Sequence, residues 1–221
     1  MKAPRIKHLG LTDYSATWRA MQVFTLHRNA DTPDEIWVTE HPPVYTQGLN
    51  KKDAKPPARQ DIPVVETDRG GKITYHGPGQ LVIYLLLDMK RAGLNVRQLV
   101  SHMENAVIKL LQGYGIAANA DLKAPGVYVG GKKIASLGLR LKNGCCYHGL
   151  SLNVDMDLSP FSAIDPCGYQ GMEVTQTCDL GIPDSLQILG EKLLDHLGIA
   201  LKLRSDLQDN VQGYVLRGNC G

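Results

Sequence analysis

Leu81-Val82-Ile83-Tyr84-Leu85-Leu86-Leu87 is a run of seven consecutive apolar residues. It is too short for a typical helix and predicts a central strand buried on both faces. The clearest helix follows it. Val96, Leu99, Val100, Met103, Val107, Leu110, Leu111 and Tyr114 recur at spacings of three and four. Asn95 is a good N-cap, and Gly113 and Gly115 supply stops. Beyond that helix, from Gly126 to Asp155, the pattern turns to alternation. Val127 to Val129, a Gly130-Gly131 turn, Lys133 to Leu141, an Asn143-Gly144 turn and Tyr147 to Val154 predict a β-meander.

Upstream of the apolar run, Asp13 caps a helix predicted from Tyr14 to about Arg28, with Tyr14, Trp18, Met21 and Phe24 on one stripe. Ile36-Trp37-Val38 and Val64-Val65 predict short strands. The proline-rich, charged stretch from Lys51 to Pro63 reads as a surface loop and the one candidate linker. Downstream, a last helix is expected from Asp184, with Leu186, Leu189, Leu193 and Leu197 inward and Gly198 as its end. Leu201 to Leu203 suggest a final strand. The order is α, strands, α, meander, α, which predicts an α+β fold with a mixed sheet flanked by helices. One domain over residues 1–204 is expected, followed by a loosely ordered tail at 205–221.

Composition narrows the function. With 43% apolar and 21% charged residues the chain is globular in type. Its 24 basic and 22 acidic residues leave a formal charge of +2, which argues against a dedicated nucleic-acid binder. The 23 glycines and 12 prolines call for many turns. No apolar run is long enough to span a bilayer, and Met1 to Arg5 lead into no apolar targeting segment. The cysteines, Cys145, Cys146, Cys167, Cys178 and Cys220, are odd in number and form no C-x-x-C, so neither a disulfide framework nor a zinc ribbon is expected. A reduced, cytoplasmic location follows as the expectation.

Three segments carry candidate chemistry. Arg69-Gly70-Gly71-Lys72-Ile73-Thr74-Tyr75-His76-Gly77-Pro78-Gly79-Gln80 is dense in glycine and polar handles, and it fits neither a P-loop nor G-x-G-x-x-G. It reads as a ligand-binding loop or as a glycine-rich turn. Cys167, in Asp165-Pro166-Cys167-Gly168-Tyr169, is either a nucleophile presented by a turn or a small buried hydrophobe. On the strand from Lys133 to Leu141, Lys133 shares the face of Ala135, Leu137 and Leu139, whereas Lys132 points away. An inward lysine either snorkels or serves as a partly desolvated cation that favours a thiolate or takes its proton. A bulge at Gly138 would break this phase. His148 repeats the inward pattern with Leu150, Leu152 and Val154, and both His148 and His76 are candidates for a Cys–His pair. The seven histidines are scattered, so no metal site is expected.

Taken together, Arg69-Gly70-Gly71-x-x-Thr74-Tyr75-His76-x-x-Gly79-Gln80-x-Val82-x-Tyr84, Gly126-Val127-Tyr128-Val129-Gly130-x-Lys132-Lys133-Ile134-x-Ser136-Leu137-Gly138, His148-Gly149-Leu150-Ser151-Leu152-Asn153 and Pro166-Cys167-Gly168 resemble the octanoyltransferases of lipoate biosynthesis. The resemblance runs from about Ile6 to the last helix. It implies the α+β fold shared with lipoate and biotin protein ligases. It also implies transfer of an octanoyl group from octanoyl-acyl carrier protein to a lysine of lipoyl domains, those of 2-oxoacid dehydrogenase E2 subunits and the glycine cleavage H protein. It further implies no cofactor, metal, nucleic acid or membrane. Cys167 would carry the acyl chain as a thioester, with Lys133 as the catalytic lysine. The acyl pocket would take in Arg69, Gly70, Gly71, Lys72, Ile73, Thr74, Tyr75 and His76. It would also take in Ser136, Leu137 and Gly138, and Gly149, Leu150 and Ser151. Three rival readings are an ATP-dependent ligase on the same fold, a cysteine hydrolase and a non-catalytic acyl-protein-binding module.

Overall fold

The apolar run Leu81–Leu87 is buried along its whole length, and the chain around it is arranged to cover both of its faces. The computed structural model describes residues 4–52, 55–121, 124–164 and 173–201. In chain order these form β1 (Arg5–Leu11), α1 (Tyr14–His27), β2 (Glu35–Glu40), β3 (Val44–Gln47), β4 (Val64–Glu66), β5 (Ile73–His76) and β6 (Gln80–Asp88). There follow α2 (Met89–Ala92), α3 (Val96–Gln112), β7 (Asn119–Ala120), β8 (Gly126–Val129), β9 (Lys132–Lys142), β10 (Cys145–Asn153) and α4 (Leu186–Ala200). Among the described residues the main sheet has seven strands in the order β1-β2-β6-β10-β9-β8-β7, and a smaller sheet has the order β4-β3-β5. β1 and β2 pair parallel, as do β3 and β4, while β6 pairs antiparallel with both β2 and β10. The main sheet is mixed, as the sequence predicts, and so is the smaller sheet, which the sequence pattern does not separate from it.

Alternation along β6 divides the core. Leu81, Ile83, Leu85 and Leu87 pack against Leu99, Met103 and Val107 of α3 and Leu189, Leu193 and Leu197 of α4. Val82, Tyr84 and Leu86 pack on the other face with Met21, Trp37 and Tyr147, and Trp18 and Phe24 of α1 lean against them. The helix starts follow their caps. Asp13 accepts from the N–H of Ala16, and Asn95 and Gln98 form a reciprocal capping box on α3.

Several expectations are corrected. β1, β3, β5 and β7 stand where only loops, or nothing, were expected. The Lys51–Pro63 stretch is not a linker: in its described part Ile62 packs in the core of the small sheet with Tyr45, Tyr75 and Phe161, and the N–H of Ala58 donates to the carbonyl of Ala163 at 2.9 Å. It connects β3 to its parallel neighbour β4, which a short turn cannot do. The last helix starts at Leu186 on the cap of Ser185, and Gly198 does not end it. A glycine costs a helix about 1 kcal/mol, and packing by Leu197 and Leu201 outweighs that. Leu201 is the C-cap of α4 rather than the start of a strand. Residues beyond it lie outside the described ones. Among the described residues no helix is long and apolar enough to cross a membrane.

Candidate active site

A cleft of about 280 Å³ opens beside β9. Its position follows from the strand lengths. β8 pairs with β9 only as far as Gly126↔Ser136, so the edge of β9 beyond Ser136 is left open on that side. The segment from Arg69 closes over this edge, and the N–H of Gly70 donates to the carbonyl of Leu139 at 2.9 Å. Arg69, itself buried, fixes the segment by donating to Oγ1 of Thr46 from Nε at 3.2 Å and from Nη2 at 2.9 Å. Among the residues expected in an acyl pocket, Arg69 to Thr74, His76, Ser136 to Gly138 and Gly149 to Ser151 all line the cleft. Tyr75 does not. Its ring packs onto Tyr45 and Phe161 in the core of the small sheet.

Lys133 lines the same cleft and is only 4% exposed. Its Nζ donates to the carbonyl of Pro125 at 3.3 Å and lies 5.3 Å from the ring centre of Tyr128, a cation–π distance. Lys132 points outward to Oε2 of Glu173 at 2.9 Å. The register of β9 with β10 runs unbroken from Lys142 to Ala135, so no bulge forms at Gly138. The irregularity lies instead between Lys133 and Ala135: their β8 partners Tyr128 and Val127 are adjacent, so β9 carries one extra residue there. The main chain of Lys133 is gripped by a later segment: its N–H donates to Glu173 and its carbonyl accepts from Thr175, at 2.9 and 3.0 Å.

The histidines take separate places. His76 donates from Nδ1 to Oε1 of Gln80 at 2.6 Å, and Tyr14 stacks on it with centroids 5.6 Å apart. Burial pushes His76 down to about 3, so its ring is neutral. The hydroxyl of Tyr14 is buried and has no well-formed hydrogen bond among the described residues, with Thr46 and Thr67 standing near it. Burial pushes this phenol up to about 12, so it keeps its proton. His148 does not share a face with Leu150 and Leu152. Its φ of +64° turns the ring onto its neighbour Tyr147, with centroids 5.1 Å apart, and towards Tyr84. Adjacent residues of a regular strand point to opposite faces, so the left-handed backbone at His148 defeats the alternation.

Asp68 holds His148 in place. Its carboxylate accepts from Nε2 of His148 at 3.0 Å, from Nε1 of Trp18 at 2.8 Å, from Nε2 of Gln22 at 3.1 Å and from the hydroxyl of Tyr147. Burial works to raise its pKa, but these donors outweigh burial and hold it well below the usual carboxylate range. Burial pushes His148 down, and Asp68 offsets part of the shift.

Cys167 and Cys220 lie outside the described residues. The other three thiols are poor nucleophiles. Burial raises Cys145 and pushes Cys146 up to about 12; burial together with Asp155 and Asp179 pushes Cys178 to about 11. Among the described residues no three His, Cys, Asp or Glu side chains converge as metal ligands.

Sequence reasoning left Val96, Val100, Pro125 and Tyr84 out of the cleft, although all four line it. Val96 and Val100 were read as core of α3. Val96 is 39% exposed, which the helical spacing of the apolar residues gives no way to see.

The family model of the lipoyl protein ligase A/B catalytic domain matches residues 13–197. The octanoyltransferase of Chromobacterium violaceum is 62% identical over 195 residues, 88% of this chain and 94% of that one. The octanoyltransferase of Laribacter hongkongensis is 58% identical over 192 residues, 87% of this chain and 93% of that one. In fold, the chain is similar to the bipartite lipoate protein ligase of Thermoplasma acidophilum, with a TM-score of 0.72 at 15% identity over 91% of this chain and 85% of that one. It is also similar to the biotin protein ligase of Aquifex aeolicus, with a TM-score of 0.54 at 15% identity over 91% and 70%. The chain belongs to the lipoyl protein ligase A/B catalytic family and, within it, to the octanoyltransferases.

Proposed function

We propose that this octanoyltransferase takes its acyl group from octanoyl-acyl carrier protein, holds it as a thioester on Cys167 and passes it to a lysine of a lipoyl domain. The acceptors are the lipoyl domains of 2-oxoacid dehydrogenase E2 subunits and the glycine cleavage H protein. Residues 1–204 act as one cytoplasmic catalytic domain in the first step of endogenous lipoylation. The observation that carries the reading is Lys133, a buried lysine in a mostly apolar cleft and gripped along its backbone by Glu173 and Thr175. Cys167 is six residues before Glu173, so at most about 20 Å of chain separates the two.

In the first half-reaction Cys167 gives its proton to Lys133, and the thiolate attacks the thioester carbonyl. A new C–S bond forms, the carrier's C–S bond breaks, and the carrier's sulfur takes the proton from Lys133. The exchange is nearly balanced. In the second, Lys133 takes a proton from the incoming lysine ammonium and the amine attacks. The C–N bond forms, the C–S bond to Cys167 breaks, Cys167 regains a proton, and one further proton goes to solvent. Making an amide from a thioester is downhill, so neither step needs a nucleotide. The acyl chain lies along Ser136–Gly138 and Gly149–Ser151, under the Arg69–His76 segment.

Intact-mass analysis after incubation with octanoyl-acyl carrier protein tests this. One octanoyl adduct that maps to Cys167 and is chased onto an apo lipoyl domain without nucleotide supports it. An adduct on Cys145, Cys146 or Cys178, no adduct, or faster transfer from free octanoate with ATP and magnesium overturns it.

A further inference from the structure

Near Lys133 one peptide group links the lysine to a carboxylate that the proposed mechanism leaves idle. Nζ of Lys133 donates to the carbonyl of Pro125 at 3.3 Å. The N–H of the same peptide, on Gly126, donates to Oε1 of Glu104 at 3.1 Å. The peptide is planar, so an acceptor that fixes its N–H also fixes the direction of its carbonyl. Glu104 lies on α3 and is 8% exposed, between Met103 and Val107 of the main core. Burying a carboxylate is costly unless something in the fold holds it.

The lysine stem is guided from the other side as well. A Cβ on Gly126 would lie 2.6 Å from Cε of Lys133 and 2.9 Å from the carbonyl oxygen of Ala135. The stem therefore runs through the space that any other residue at this position would fill. Burial raises Glu104, while the Gly126 N–H and the charge of Lys133 pull it back. The carboxylate thus senses the lysine whose perch it holds.

We propose that Glu104 is a positioning residue for Lys133, acting through the Pro125–Gly126 peptide to aim the lysine amine at the reacting centre. The inference rests on the assignment of Lys133 as proton carrier and adds the group that places it. Without the carboxylate, the Gly126 N–H is left unpaired and the peptide is free to tilt. A misplacement of about 1 Å costs on the order of a hundredfold in rate.

The test compares Glu104→Gln, which keeps an oxygen to accept from Gly126, with Glu104→Leu, which does not. Transfer kinetics are measured on full-length protein checked for folding by circular dichroism. Glu104→Leu should lower kcat by about tenfold or more with KM for the octanoyl donor within about twofold, and Glu104→Gln should keep kcat within about threefold. In a Lys133→Met background Glu104→Leu should cost nothing further, because a residue that acts through Lys133 has nothing left to act on. Gly126→Ala, which crowds the stem from the other side, should repeat the loss in kcat and keeps the test open if the leucine variant does not fold. A merely structural role would lower the melting temperature and leave kcat of the folded protein alone. That result, or losses that add fully in the Lys133→Met background, overturns the inference. Wild-type transfer by Lys133→Met on its own would instead overturn the lysine assignment on which the inference rests.

Discussion

The two ends of the cleft are held in opposite ways. Lys133 and Leu139, the partner of His148, are six positions apart on β9, roughly 20 Å at the rise of a strand. At the first end a buried lysine leans on a main-chain carbonyl and an aromatic face. At the second, the carboxylate of Asp68 gathers four side-chain donors. A lysine on a flexible stem can give up and regain a proton where it stands. A carboxylate with four donors stays ionised and pins everything that donates to it. The cleft therefore has an end suited to proton transfer and an end suited to holding shape, and substitutions at the two should damage different quantities.

The largest effect is expected at Lys133. Lys133→Met should lower kcat for transfer by 10²- to 10⁴-fold, roughly what a general acid–base group contributes, with little change in the melting temperature. Lys132→Met, one residue away, removes an exposed pair with Glu173 and should leave kcat at the wild-type value. Equal losses in the two would mean that the burial of Lys133 confers nothing, and the contrast between the ends would collapse.

Asp68→Asn comes next, and it should read out in stability. The substituted amide turns an NH₂ towards some of the four donors, at a cost of about 1–2 kcal/mol by urea unfolding at pH 7. The pH dependence has a definite sign. The pKa of Asp68 is depressed in the folded protein, so its contribution is complete above the unfolded carboxylate value near 4 and is lost as pH falls towards the folded value. The gap between wild type and variant should therefore narrow from pH 5 downward. A gap that stays constant would show that the charge of Asp68 is irrelevant and that only its shape matters.

How much of this was legible in the sequence follows from distance along the chain. The caps Asp13 and Asn95 and the buried run at Leu81–Leu87 are local patterns, as are the opposite directions of the adjacent Lys132 and Lys133, which are seen in the exposed pair of one and the burial of the other. The face of His148 was misread because a positive φ is invisible in an alternation count. Asp68 carried no signal, since its donors lie 46 to 80 residues away. Nothing local in the sequence marks Glu104, because only the folded chain brings Gly126 to it. The short strands β3, β5 and β7 are made by pairing rather than by pattern, and sequence periodicity has little to register over two to four residues.

The smallest expected effect tests whether the His148 end is satisfied throughout. Tyr14 lies near that end, stacked on His76, with a hydroxyl that is buried and, among the described residues, unpartnered. A buried hydroxyl without a partner costs on the order of 1 kcal/mol or more. Tyr14→Phe keeps the ring, its stacking on His76 and nearly all of its volume, and removes only the oxygen. The ligand-free variant should therefore be more stable than wild type by about 1 kcal/mol, read as a higher urea midpoint with an unchanged m-value. Asp68→Asn and Tyr14→Phe would then move stability in opposite directions within one cleft, the first by breaking a satisfied carboxylate and the second by deleting an unsatisfied hydroxyl. If Tyr14→Phe instead lowers the midpoint, the hydroxyl has a partner in solution. The hydrogen-bond network of Asp68 would then be no more complete than that of its neighbours, and the stiffness of this end would have to be assigned to the whole aromatic cluster rather than to one carboxylate.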